Sequence, residues 1–159
     1  MRDYTRKAKR IDDGELIVGH TVRYGFTGQE KWYIVPHYAS ALYAIEIDPT
    51  TICDPTGFTD KNGNLIWEND VVRGHDNPND LAKVVFGEVH VIDAVSLANV
   101  DSVVGWHTEV IPTDSLSKCE PFCLPMPLTD FYIKQSEWET IGSIFDNSEL
   151  LKREGQMIG

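Results

Sequence analysis

Thr56-Gly57-Phe58-Thr59-Asp60-Lys61-Asn62-Gly63-Asn64-Leu65-Ile66-Trp67-Glu68-Asn69-Asp70-Val71-Val72 is the stretch that decides the fold. Within it, Asp60-Lys61-Asn62-Gly63-Asn64 is a hairpin signal, because Asn-Gly supplies the two positive-φ residues of a type I′ turn. Glu68-Asn69-Asp70 is a second polar turn, and it delivers the β-branched pair Val71-Val72. Small SH3-like barrels often open a strand in this way. A second segment, Ile141-Gly142-Ser143-Ile144-Phe145-Asp146-Asn147-Ser148-Glu149-Leu150-Leu151, closes the pattern. Trp138 to Phe145 alternates as a final strand, and Asp146-Asn147-Ser148-Glu149 has capping-box spacing, with Asp146 as the cap and Glu149 reaching back to its amide. Leu150-Leu151 is the apolar side of a short helix, whose end Lys152, Arg153 and Gly155 complement.

Upstream, residues 4 to 52 read as β. Leu16-Ile17-Val18, Thr21-Val22-Arg23-Tyr24, Trp32-Tyr33-Ile34-Val35 and Leu42 to Ile47 are strand-like runs separated by breaks. Their spacing suggests a meander or a small barrel. Asp48-Pro49-Thr50-Thr51-Ile52 reads as one helical turn, with Asp48 as cap and Pro49 at its first position.

Downstream, Gly74 to Asp80 is an oxygen-rich loop. It fails the calcium pattern, because Pro78 stands at a ligand position and no distal Glu follows. Ala82 to Phe86 and Val89 to Ile92 read as strands on either side of Gly87, and Val103 to Ile111 as another strand or strand pair. Residues 112–130 carry prolines and two cysteines in a long loop, and Phe131-Tyr132-Ile133 reads as a short strand. The predicted fold class is mainly β (α+β). An N-terminal β subdomain spans residues 1–55. A β-rich core spans residues 56–154, an SH3-like half-barrel with a short terminal helix and an insertion at about 112–130.

The chain has 159 residues, 42% of them hydrophobic and 10% aromatic, enough for one core or a core plus a small lobe. It has no apolar run of the roughly 20 residues that a membrane helix requires. The basic start has no apolar stretch behind it and is not a signal peptide, so the expected location is cytoplasmic. The formal net charge is −11, although Arg2, Arg6, Lys7, Lys9 and Arg10 crowd the first ten positions. A surface this acidic repels phosphate backbones and argues against nucleic-acid binding. The basic start reads instead as an edge strand guarded by charge. Cys53, Cys119 and Cys123 read as buried or incidental thiols, since the spacing of the latter two is not that of a zinc knuckle.

Two constellations could carry chemistry. Glu68 and Asp70 are two apart and face the same way on an extended chain; such a pair can do acid–base work or hold magnesium. In a turn, however, the plainer task of these residues is to bond backbone amides. His90 and His107 lie in predicted strands, and if those strands pair, the rings could meet on one face and bind a metal. A packed or surface aromatic is the plainer use there too. No phosphate loop, nucleophile elbow or HExxH helix is present, and no cofactor is expected.

The two quoted segments, about 70 residues apart, resemble the YopX family of phage and prophage proteins. That family carries a D-K-N-G turn, an E-G-D-I-V strand opening and a terminal I-G-N-I-Y-E-N-P-E-L-L. Asn69 stands here for the usual glycine and tolerates positive φ; Ser148 stands for the usual proline. Residues 112–130 look like an insertion particular to this chain. The resemblance implies a mainly β fold, a mobile-element origin and a bacterial host, and it brings no catalytic residues. The expected function is that of a non-enzymatic, homo-oligomeric interaction protein, whose partners are itself and a host or phage protein. The alternatives are a metal-dependent hydrolase or nuclease using Glu68 and Asp70, and an acidic decoy that occupies a DNA-binding host protein.

Overall fold

The protein is described by a computed structural model at residues 4–38, 43–93 and 95–151, with the side chain at 150 excepted. Arg2, Leu42, Lys152, Arg153 and Gly155 lie outside the described residues, as does the end of the expected core at residue 154. The fold class is mainly β, with a curled half-barrel sheet. The chain divides into two compact units between Pro55 and Thr56. Among the described residues, no helix is long and apolar enough to cross a membrane.

In the first unit, β1 (Arg6–Lys9), β2 (Leu16–Tyr24), β3 (Lys31–Pro36) and β4 (Ile45–Ile47) form an antiparallel sheet in that order. The sheet curls until its ends meet. Arg10 bridges to Ile47, and the Asp48 amide donates to the Lys9 carbonyl at 2.9 Å. Lys7 exchanges amide hydrogen bonds with Cys53. The basic start is therefore not the free edge expected from its charge, because β1 is paired with β2 on one side and bridged on the other. Ala8, Ile17, Ile34, Ile45 and Ile47 fill the curl. The predicted turn at Asp48 is present: Pro49–Thr51 forms a 3-10 turn, and the Asp48 carboxylate accepts the Thr50 amide at 3.0 Å.

In the second unit, β5 (Pro55–Thr59) pairs with β6 (Leu65–Trp67). β7 (Asp70–Arg73), β8 (Leu81–Ile92), β9 (Asn99–Ile111), β10 (Met126–Pro127) and β11 (Glu139–Ser143) form an antiparallel sheet of order β10-β9-β8-β7-β11. Around β7, the start of β8 and the end of β9, this sheet is buried on both faces. Val72, Ala82 and Val84 pack with Ile66, Leu128, Ile133 and Trp138, whereas Val71 and Leu81 pack with Ile111. Successive strand residues point to opposite faces, which is why Val71 and Val72 serve two different cores.

Several expectations are corrected. Gly87 does not end a strand; β8 runs unbroken through it, opposite Gly105. Phe131-Tyr132-Ile133 is helical, within α1 (Asp130–Ser136). The Thr129 hydroxyl caps α1 by accepting the Tyr132 amide at 3.1 Å, and Glu137 ends it at φ 52°. This cap outweighs the β propensity of three aromatic or branched residues. The hairpin turn is not type I′, because Gly63 lies at φ 83° whereas Asn62 does not take positive φ. The Gly63 amide closes the turn on the Asp60 carbonyl at 3.0 Å. Finally, α2 (Ser148–Leu151) begins two residues after Asp146. The Asp146 amide donates to Ser143 Oγ at 3.3 Å, and Glu149 takes the Asn147 side-chain amide instead. Leu151 is exposed, and the side chain of Leu150 lies outside the described residues.

Candidate functional site

Asp70 is 2% exposed and stands at the start of β7, where its carboxylate accepts the Trp67 amide at 2.8 Å. The bond closes the turn that Asn69 makes at φ 66°. Glu68 lies inside that turn rather than on an extended strand, so the alternation that would aim both carboxylates the same way does not operate. The Asp70 carboxylate is engaged in fixing a backbone turn.

His90 and His107 both lie on the paired strands β8 and β9, but the register keeps them apart. His107 is opposite Val85, five positions from His90, which is about 17 Å along a strand and an odd number of steps. His107 is buried and its Nδ1 donates to the Gly105 carbonyl at 3.1 Å. His90 is exposed and bonds the Asn99 side chain at 3.1 Å. Among the described residues, no three His, Cys, Asp or Glu converge as a metal site.

The oxygen-rich loop from Gly74 to Asp80 and the 112–130 segment meet at a cavity of about 390 Å³. Asp80, from the Gly74 loop, and Asp114, from the 112–130 segment, lie on its wall with Tyr132, Trp138 and the apolar Leu124 and Met126. Burial pushes the Asp80 carboxyl above the ordinary carboxylate range; nearby His75 opposes the shift and Asp114 adds to it. Burial also raises the Tyr132 hydroxyl. Gly74 leaves room for this arrangement, because a side chain there would collide with the Asp80 carboxyl and meet the Ser136 carbonyl at 3.1 Å. Ser117 is bound up in loop structure, its hydroxyl accepting the amides of Thr113 and Asp114 at 2.9 and 3.0 Å. The cavity can hold a hydrogen-bond donor against its carboxylates, and its serine is not arranged as an activated nucleophile.

A larger feature is the hairpin of β8 and β9. β7 pairs with β8 only at Leu81–Lys83, and β10 with β9 only at His107 and Thr108. From Val85 to Ile92 and from Asn99 to Gly105, the two strands form a ribbon with no third strand among the described residues. Its exposed apolar side chains include Phe86 (56% exposed), Val100 (63%) and Val104 (71%). Phe86 stacks edge-on against Trp106 at 5.1 Å. Asp93 shapes the tip, its carboxylate accepting the Val95 and Ser96 amides at 2.9 and 2.8 Å; these bonds hold it below the usual carboxylate range. No Lys or Arg occurs between Lys83 and Lys118, so the ribbon is acidic as well as apolar. The exposure of residues such as Val100 and Val104 was readable in the sequence only once the partner strand was known.

A search of curated proteins finds no match. A family model described as YopX protein matches residues 19–152, a span that holds both motifs, the hairpin turn built on Asp60 and the segment from Ile141 to Leu151. With most of its length so matched, the chain belongs to the YopX family.

Proposed function

We propose that this is a phage- or prophage-encoded interaction protein without enzymatic activity, working as a homo-oligomer in the cytoplasm of a bacterial host and contacting itself and a host or phage protein. The observation that carries the reading is the ribbon of β8 and β9. A two-stranded hairpin alone is marginal in water, and this one, although it buries Val89 on one face, has no third strand along its edges among the described residues and presents exposed apolar side chains. Exposed edges of this kind are templates for pairing with another chain. The acidic surface directs any further partner toward a basic protein. Light scattering across the micromolar range tests the reading. Assembly above the monomer mass is expected; a monomer at every concentration overturns it.

A further inference from the structure

We infer that the outer edge of β8 pairs antiparallel with the same edge of a second copy around a two-fold axis at Val89, so that Glu88 of each copy lies opposite His90 of the other. This rests on the homo-oligomer reading above and names its interface.

The backbone fixes which residues can pair. The Val84 carbonyl accepts the Asn69 amide at 2.7 Å, so Val84 turns its backbone groups to the outer edge. Backbone groups alternate in direction along a strand. Phe86, Glu88, His90 and Ile92 therefore also face outward, while Val85, Gly87, Val89 and Val91 face β9. A two-fold pairing can join only outward residues to outward residues. Centred on Glu88, it sets two carboxylates against each other and needs the Val84 carbonyl, which is already taken. Centred on His90, it stacks two imidazoles and leaves Glu88 against Ile92. Centred on Val89, all four outward residues find outward partners: Phe86 meets Ile92 and Glu88 meets His90, each twice.

The chemistry agrees with the register. His90 Nδ1 lies 3.1 Å from the Asn99 side-chain nitrogen, so it accepts and the ring proton sits on Nε2. That Nε2–H is available to donate to the Glu88 carboxylate of the other copy. Glu88 and His90 are both exposed on one face. The alternative edge, on β9, is less suited. The register irregularity opposite Val91 and Ile92 places the extra residue, Val100, on β9, and a bulge bends and interrupts an edge. β8 has no such interruption. In the first unit the bridge at Arg10 and Ile47 closes the sheet between β1 and β4, and the stretch of β2 that runs past β1, residues 20–24, is shorter than the β8 stretch 86–92.

Charge exchange tests the pairing. E88K alone sets a lysine against His90, and H90E alone sets a second carboxylate against Glu88. Each is expected to weaken dimerisation at least about tenfold, given two altered cross-strand pairs per interface. An equimolar mixture of the two variants restores the dimer. In the mixed pair the introduced lysine of one copy meets the introduced glutamate of the other, while the unaltered His90 meets the unaltered Glu88. Circular dichroism should show both variants folded, since both positions are exposed. A wild-type protein that assembles while the single variants assemble equally well, or a mixture that does not recover, overturns this interface and leaves the oligomer reading standing. A monomeric wild type removes both.

Discussion

The carboxylate of Asp60 is hydrogen-bonded to the amide of Thr140, 80 residues later, at 3.0 Å. Its other oxygen accepts the amides of Asn62 and Asn64, each at 2.9 Å, and the side chain is only 5% exposed. One buried acid thus shapes the hairpin turn and ties it to β11, joining the first motif segment to the residue that precedes the second. Asp60→Ala strands three amides at once. A charge-assisted hydrogen bond contributes about 1.5–3 kcal/mol and such losses are not fully additive, so urea unfolding should show a loss of roughly 3–5 kcal/mol. Asp60→Asn keeps one carbonyl oxygen and should lose less. A loss below about 1 kcal/mol in the alanine variant would mean that water replaces these bonds freely.

Asp70 supports a test of the enzymatic alternative. Its carboxylate is buried on the Trp67 amide, so Asp70→Ala should destabilise the fold by roughly 2–3 kcal/mol with or without metal. Magnesium, manganese, calcium and zinc should leave the melting temperature of the wild type unchanged. A rise of several degrees with one of them, absent in a folded Asp70→Ala variant, would show a cation bound there.

Asn69 occupies a left-handed position, φ 66°, where the family usually has glycine. Asn69→Gly should therefore be neutral or slightly stabilising, by about 0–1 kcal/mol, while Asn69→Ala should cost about 1 kcal/mol. Thermal melts of the pair distinguish backbone strain from side-chain bonding. Equal losses in both would show that the Asn side chain, rather than its tolerance of positive φ, sets the preference.

What was legible in the sequence was local. The turn chemistry at Asp48 and Asn69 was readable because cap and left-handed preferences act over a few residues. The class, mainly β, followed from β-branched runs punctuated by turns. What was hidden depends on pairing across distance. Asp60 looks like a turn residue until Thr140 comes beside it. Asp80 and Asp114 have nothing to join them in sequence until two loops meet. His90 and His107 were plausible companions until the register of β8 and β9 set them apart. The helix at Asp130 was missed because Phe131-Tyr132-Ile133 favours a strand and the decisive cap, Thr129, follows closely on two prolines.

Asp80 gives the clearest pH dependence. Burial raises its carboxyl above the ordinary value of 3.8, with Asp114 adding to the effect and His75 opposing it. The folded state thus holds the proton more tightly than the unfolded chain does. Its contribution is fully favourable below 3.8 and is lost as pH rises through the folded value, so at neutral pH the ionised Asp80 is a net cost. Asp80→Asn is nearly isosteric and leaves the backbone bonds of the loop in place, the Gly74 amide on the Asp80 carbonyl at 2.9 Å and the Asp80 amide on the Asn77 carbonyl at 3.0 Å. Since the side chain is only half-buried, solvent screens much of the penalty, and the gain at pH 7 should be small, about 1–3 °C in melting temperature. The gap should close as pH is lowered past 3.8, where the wild-type carboxyl is neutral too. If Asp80→Asn instead melts lower at pH 7 and level with the wild type in acid, the carboxylate is stabilised in place by a partner stronger than its burial, and the cavity is built around the charged form.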